Sequence, residues 1–369
     1  MKQKVLRAVK SMGLPVFSII VALSIGALFM LVLDYNVGKA YSSLLSGIFG
    51  SVNSISESLI QATPLIFTAI SYAVAFRSGL INLGGEGQLY MGAVFGSIVG
   101  SHFQGLPTFI HLALILLCGF IGGALWGFIA GALKVKFGAS ELITTIMLNY
   151  IALEFVSYCV TNVPFKDTTP GAAPRMPSIL ENLKLPILLP RTRLHVGILL
   201  ALAAMLIYYL FMWKTTKGYE LRVMGQNPDA GRYSGFKVKS NAVFAFSLAG
   251  GFAGLGGVVN IIGLQYFLTE GFASGFGFSG VAVALLGSCH PAGMLISAFL
   301  FGSLNAGGIR MQTVAQVPSA MMSMIQGLII LFAVSPYLFP WLRTQFMRIP
   351  AFSGRKKSKS AATTTGGEE

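Results

Sequence analysis

Apolar runs of about 20 residues, each long enough to cross the hydrocarbon core of a bilayer as a helix, recur along the chain from Leu14 to Pro340. In lipid, backbone N–H and C=O groups find partners only within helices or closed barrels, and these runs are too long for barrel strands. The chain is 54% hydrophobic and only 10% charged, where a soluble domain carries about 25% charged residues. It has too little polar surface to cover a water-facing globule. The expected fold class is therefore an all-α polytopic membrane protein. Cys118, Cys159 and Cys289 are odd in number and lie in or beside apolar runs, which gives no disulfide framework. Lys2, Lys4, Arg7 and Lys10 precede an apolar core as in a signal peptide, but that core, Leu14 to Leu33, is long and lacks an A-x-A ending. It reads as an uncleaved first helix.

Hydropathy places about ten spans, at 14–33, 57–76, 79–101, 109–133, 140–162, 194–213, 241–263, 275–288, 291–308 and 318–340. The eighth is short for a full crossing, and "LGGEG" interrupts the third. Basic residues collect on the cytoplasmic side of membrane proteins. With the N-terminus inside, segments 1–13, Arg77, 134–139, 214–240 and 341–369 are cytoplasmic and hold 19 of the 26 Lys and Arg residues. Both termini are then cytoplasmic, and the net charge of +14 reads as a topology signal rather than a nucleic-acid-binding one. The chain divides into a cytoplasmic N-terminus (1–13), a transmembrane domain (14–340) and a basic tail (341–369), low in complexity at its end. Within the domain lie a basic loop (214–240) and an external loop (163–193), the latter read either as a structured cap or as an irregular connection.

Glycines recur at intervals of four in span four (Gly119, Gly123, Gly127, Gly131), in span three (Gly92, Gly96, Gly100) and in span seven (Gly250, Gly254). Such faces allow close helix packing in lipid. Two stretches look discontinuous, "SGLINLGGEGQLYMG" (78–92) and "EGFASGFGFSGVAVALLGSCHPAG" (270–293). Interrupted segments in corresponding halves point to an inverted-repeat transporter with its path near the breaks, and spans two to five run opposite to spans seven to ten.

"GFGFSG" matches G-x-G-x-x-G literally, but its flanks are membrane helices, not a βαβ unit. The same residues contain G-x-S-G, which would make Ser279 the nucleophile of a rhomboid-like protease with His290 or His195 as base. No Walker A sequence, H-E-x-x-H or metal-spaced Cys/His cluster occurs in the sequence. Polar residues inside spans default to function. Glu86, Glu154, Thr145, Asn149, Asn82 and Gln88 are accordingly candidates for a solute path, with interhelical hydrogen bonding as the alternative for each. No Lys or Arg sits deep within a span, which points to a neutral polar solute.

In the basic loop, "GQNPDAGRYSG" carries a helix-start signal: Asn227 as N-cap, Pro228 at the first turn, Asp229 at the positive helix end and Gly235 as a left-handed stop. A short helix over about 228–234 is expected there, a rigid knob for a soluble partner. The stretch "VMGQNPDAGRYSGFKVKSN" resembles the cytoplasmic coupling loop of ABC-importer permeases of the ribose, branched-chain amino acid and nucleoside group. So do "FRSGLINLGGEGQLYMGA", "ELITTIMLNYIA" and "GFGFSGVAVALLGSCHPAGMLISAFLFGSLNAGG", and the form "ITTIMLNYIA" looks most like the nucleoside permeases that work with a basic-membrane-protein lipoprotein. "GSCHP" departs from the pattern, which has a basic residue and Asn where this chain has Ser288 and Cys289.

The resemblance implies a cobalamin-importer-like bundle in the bacterial plasma membrane, paired with a second permease, either a shorter paralogue or an identical copy. A cytoplasmic ATPase using ATP and Mg would dock on the coupling helix through Asn227, Pro228, Asp229, Gly231, Arg232, Tyr233 and Gly235. Gly231 would permit close backbone approach. An extracytoplasmic lipoprotein would deliver the solute, most readily a nucleoside, with a simple sugar such as ribose next. The chain itself would bind no cofactor and perform no covalent chemistry. A self-sufficient secondary transporter is the alternative from another class.

Overall fold

The expected spans form α-helices, as lipid requires of a backbone that must satisfy itself. The computed structural model describes residues 19–103, 105–273 and 275–346; the N-terminal segment 1–13, the start of the first expected span and the end of the basic tail lie outside them. The helices are α1 (Ile19–Val32), α2 (Val37–Phe49), α3 (Val52–Arg77), α4 (Gly85–His102), α5 (Thr108–Phe137), α6 (Glu141–Thr161), α7 (Gly197–Lys214), α8 (Thr216–Gln226), α9 (Pro228–Tyr233), α10 (Val238–Asn260), α11 (Phe276–Leu286), α12 (Pro291–Ala315) and α13 (Ser319–Phe346). Among the described residues, extended pairing is confined to one isolated bridge between Ile187 and His195. Among the described residues, six helices are long and apolar enough to cross a membrane: α3, α5, α6, α7, α12, and α10 with its extension to Gln265.

Helices α3 and α10 are the core of the bundle. Their apolar lengths are 83% and 72% buried, against 28% for α5 on the perimeter. The predicted glycine faces explain how α10 gets so close to its neighbours. A Cβ on Gly123 of α5 would run into the Gly250 carbonyl of α10, and one on Gly92 of α4 would meet the backbone of Gly254. Small residues let these backbones touch where side chains would hold them apart.

The structure departs from the expected spans in three places. Residues 37–49, expected to lie in an external connection, form α2. Asn36 caps it by accepting from the Lys39 N–H at 2.9 Å, and its Gly47 packs on Gly307 of α12. Helix α2 escaped notice because 13 residues fall short of a span. The basic loop holds two helices rather than one: α8, capped by Thr215, precedes the anticipated α9. Finally, α11 has 11 residues and is about 16 Å long at 1.5 Å per residue, so it cannot alone be the eighth crossing. Before it, residues 266–273 are mostly bends and turns rather than helix.

Residues 163–193 form an ordered cap. Backbone N–H groups of Met176, Ile179 and Leu185 donate to the carbonyls of Leu268, Tyr266 and Ile262, and that of Leu180 donates to Gly100. The cap is thereby strapped over the ends of α10 and α4. Its hinge is Asp167, whose carboxylate accepts from the hydroxyl and N–H of Thr169 at 2.6 and 3.0 Å and from Arg175 Nε at 2.9 Å. Arg175 also lies over the Phe267 ring, 4.8 Å from its centroid. The Thr169 hydrogen bonds, helped by Arg175, hold the Asp167 carboxyl down at about 2. A carboxyl depressed in the folded state contributes its full stability above the unfolded value, about 3.9, and loses it only as pH falls towards 2. Limited proteolysis of the cap should therefore proceed at one rate from pH 5 to 8. Asp167→Asn should speed cleavage throughout that range; equal rates for the variant and the parent would show that Asp167 does not organise the cap.

Candidate solute path and coupling loop

The two interrupted segments meet. After α3 ends at Arg77, residues 80–83 run without helical structure and α4 begins at Gly85. After the π turn that ends α10, the chain passes through residues 266–275, and α11 begins at Phe276 on a left-handed Gly275, φ 84°. The Gly275 N–H donates to Glu86 Oε1 at 3.1 Å, and the Ala273 N–H donates to the Tyr90 hydroxyl at 3.3 Å. A Cβ on Gly277 would collide with the backbone of Glu86. Glu86 is only 7% exposed, so the start of one broken helix grips the start of the other.

Most of the expected path residues hold the first break together. Asn149 on α6 accepts from the Gly87 N–H at 2.8 Å and donates to the Leu83 carbonyl at 2.9 Å. It thereby caps α4 from a different helix. Thr145, one turn earlier, accepts from the Leu83 N–H at 3.3 Å. Asn82 accepts from the Gly84 N–H at 3.0 Å and joins Gln88 and Ser71 in a closed buried set of hydrogen bonds at 3.0 to 3.2 Å. Orphaned backbone groups in a membrane cost several kcal/mol each. For Asn82, Gln88, Thr145 and Asn149, interhelical hydrogen bonding is what the geometry shows. Glu154 is not part of this cluster: it is exposed on the perimeter of α6. Sequence position alone did not reveal which side of α6 faces outward.

Arg77, at the end of α3, was missed in the sequence. Its guanidinium donates to the carbonyls of Ser288 and Cys289 at 2.9 and 3.3 Å and lies 5.5 Å from the centroid of the Trp213 ring. Ser288 and Cys289 both adopt left-handed backbone, φ 53° and 50°, and Tyr208 on α7 donates to the same Cys289 carbonyl at 3.0 Å. The α11–α12 turn, where the sequence leaves its family pattern, is thus clamped by α3 and α7. The available signal was a cation at the end of a span with Trp213 and Tyr208 elsewhere, which reads only as a topology marker.

The basic loop packs beneath this clamp. A Cβ on Gly225 of α8 would strike the Arg77 carbonyl, and Gly79 faces Gly225 in turn. Helix α9 follows immediately. Asn227 Oδ1 accepts from the Asp229 and Ala230 N–H groups at 3.0 and 3.1 Å, Pro228 opens the helix, and Arg232 pairs with Asp229 at 3.2 Å. Gly235, φ 80°, turns the chain out of it. Tyr233 is 95% exposed and Arg232 is exposed beside it. Gly231 is buried against Phe236, Val238 and Met224, so it does not offer its backbone to a partner as the sequence suggested.

The protease arrangement is not present. Ser279 sits in the first turn of α11, about 10 Å of helix rise before the end of α11 at Leu286, whereas His290 lies past that end, against Trp213. His195 packs on Gly197 and Gly263 under the cap. No group of His, Cys, Asp and Glu suited to a metal occurs among the described residues.

If Glu86 serves the fold as an acceptor, Glu86→Gln should keep most of the solute uptake that the resemblance implies, because the amide oxygen still receives the Gly275 N–H. Glu86→Ala should lower uptake at equal membrane abundance by leaving that donor unpaired, a cost of about 1–3 kcal/mol. Equal losses in both variants would assign Glu86 a charge-dependent role instead.

Comparisons with known proteins fit this geometry. Residues 54–334 match a family described as the permease component of a branched-chain amino acid transport system. The chain is 41% identical over 330 residues to the guanosine ABC transporter permease protein NupP of Bacillus subtilis, covering 88% of this chain and 93% of the relative. It is 34% identical to the nucleoside ABC transporter permease protein NupB of Lactococcus lactis, covering 94% and 97%. It is 31% identical to the glucose ABC transporter permease protein TsgB13 of Haloferax volcanii, covering 96% and 94%. No solved structure matches. The chain is an integral membrane protein and a transport component rather than an enzyme, and it belongs to the family of branched-chain amino acid transport system permeases.

Proposed function

We propose that this permease carries nucleosides into the cell as one subunit of an ABC importer, with α9 as the helix on which a cytoplasmic ATPase docks. The carrying observation is Tyr233: a large aromatic ring, 95% exposed, on a capped helix that directly follows α8, whose Gly225 abuts the Arg77 carbonyl. Exposed aromatic and Arg side chains dominate interface energetics. Support for the solute comes from relatives named for guanosine and for nucleosides, aligned over 88% and 94% of this chain. A simple sugar is the second reading, supported by the glucose-named relative aligned over 96%.

In this reading the N-terminus, the basic loop 214–240 and the tail 341–369 are cytoplasmic, and the cap 163–193 faces outside. The chain passes the membrane about ten times, two of the passages being part non-helical and part helix. An inverted repeat relates the region from α3 to α6 to that from α10 to α13. Each half has an interrupted passage as its second member, and the two interruptions touch. A second permease, a shorter paralogue or an identical copy, completes the core, and an extracytoplasmic lipoprotein presents solute at the cap end. ATP and Mg belong to the ATPase. Movement of α9 would be passed through Gly225 and Gly79 to Arg77, and from there to the α11–α12 turn.

Arg232→Glu and Tyr233→Ala should each weaken co-purification of the ATPase and lower uptake, while binding of the lipoprotein outside is unchanged. Gly231→Ala should be tolerated, since its Cβ would sit in ordinary contact at 3.8 Å. Retention of the ATPase at parental strength by both exposed-face variants would sink the coupling role. A lipoprotein that bound glucose or ribose but no nucleoside would move the solute assignment to the sugar.

A further inference from the structure

Beyond the first break, a second group of uncharged polar side chains faces empty space rather than backbone. Two adjoining cavities of about 240 and 330 Å³ lie between α3, α11, α12 and α13 and share Phe276, Asn305, Ser323 and Gln326. Gln61 and Gln312 line the first; Gly275, Phe278 and Gly327 line the second. Ligand pockets commonly measure about 300–1,000 Å³.

Three features separate this cavity from the hydrogen-bonded set at Asn82. First, its amides are not consumed by the fold. Gln326 Nε2 donates to Asn305 Oδ1 at 2.7 Å, which leaves the Asn305 amide N–H groups and the Gln326 carbonyl for another partner, and Gln61 makes no side-chain hydrogen bond among the described residues. Polar groups on membrane helices are expensive unless paired, so three amides converging on open space imply a partner that comes and goes. Second, none of the residues lining either cavity is charged. Each amide offers both donors and acceptors, which suits a neutral solute bearing hydroxyls and ring nitrogens. Third, Phe276 lines both cavities and Phe278 the second, and a planar base can stack on an aromatic face.

The position also matters. Gly275, which lines the second cavity, is the residue whose N–H Glu86 holds. The cavity therefore ends at the junction of the two broken segments.

We infer that the cavity formed by Gln61, Asn305, Gln326 and Phe276 is a solute-binding site on the path, taking a neutral, hydroxylated molecule with a planar heteroaromatic ring. This assignment rests on the nucleoside-importer reading and names where in that importer the solute sits.

The test uses the complete transporter with its lipoprotein and ATPase in proteoliposomes, with labelled guanosine and ribose as probes. Gln61→Leu and Asn305→Leu should raise the guanosine concentration for half-maximal uptake roughly tenfold, the loss of about one hydrogen bond, with ATPase association intact. Gly327 is exposed at the rim, offers the solute no polar group, and a Cβ there meets nothing within 4 Å. A thiol reagent attached to Gly327→Cys should block uptake, and guanosine should slow the labelling. This arm decides the matter if the leucine variants fail to insert. Guanosine uptake that is unaffected by the leucine changes and by the Gly327→Cys label overturns the cavity while leaving the nucleoside reading intact. Uptake of ribose but not guanosine by the parent, lost in the same variants, keeps the cavity as the site and overturns the nucleoside reading. A phenotype in the leucine variants without protection of Gly327→Cys by either probe counts against direct binding.

Discussion

A helix interrupted inside a membrane leaves backbone donors and acceptors that lipid cannot satisfy, and the architecture depends on how this chain answers that constraint. At the first break the answer comes from side chains of other elements: Asn149 and Thr145 from α6, and Asn82 from the break itself. At the second it comes from Glu86 and Tyr90 of α4, which receive the N–H groups of Gly275 and Ala273. Because Glu86 lies at the start of the first broken helix and Gly275 at the start of the second, neither break can rearrange without involving the other. The close packing of α10 on α5 and α4, allowed by Gly250, Gly254, Gly123 and Gly92, supplies the rigid frame around this pair.

The two ends of the bundle are built differently. At one end, the cap is tied to α10 and α4 by backbone hydrogen bonds and pinned by Asp167 and Arg175. At the other, α8 rests against Arg77 and Gly79 through Gly225, with α9 following it, and Arg77 holds the turn between α11 and α12. One short helix, α11, therefore has its first residue beside the junction and leads at its other end into the turn that Arg77 holds. Elements in contact thus run from α8 through Arg77 and the α11–α12 turn to the start of α11 at the junction.

Much of this was legible in the sequence, for identifiable reasons. Long apolar runs report helices because the environment permits little else, and the cap signal of Asn227 and Pro228 is local, so α9 was placed within a residue or so of its observed bounds. The discontinuities were visible because glycine clusters interrupt hydropathy. What was hidden depended on tertiary direction. Glu86 and Glu154 look alike in sequence, yet one is buried at the junction and the other exposed on the perimeter. Gly231 lies in the anticipated helix but faces inward. Gln61, Asn305 and Gln326 occur singly in three separate helices, and only the fold brings them to one cavity. Helices α2 and α8 were missed because short helices against the bundle ends lack the length that made the others obvious.

The most direct test of the junction is hydrogen exchange at three backbone amides, those of Gly84, Gly87 and Gly275, in the protein held in nanodiscs. All three should exchange slowly, as donors to Asn82, Asn149 and Glu86 do when shielded from water. In Glu86→Ala the Gly275 amide should become fast while Gly84 and Gly87 stay slow. Rapid exchange at all three in the unmodified protein would contradict the view that these side chains hold the broken helices together.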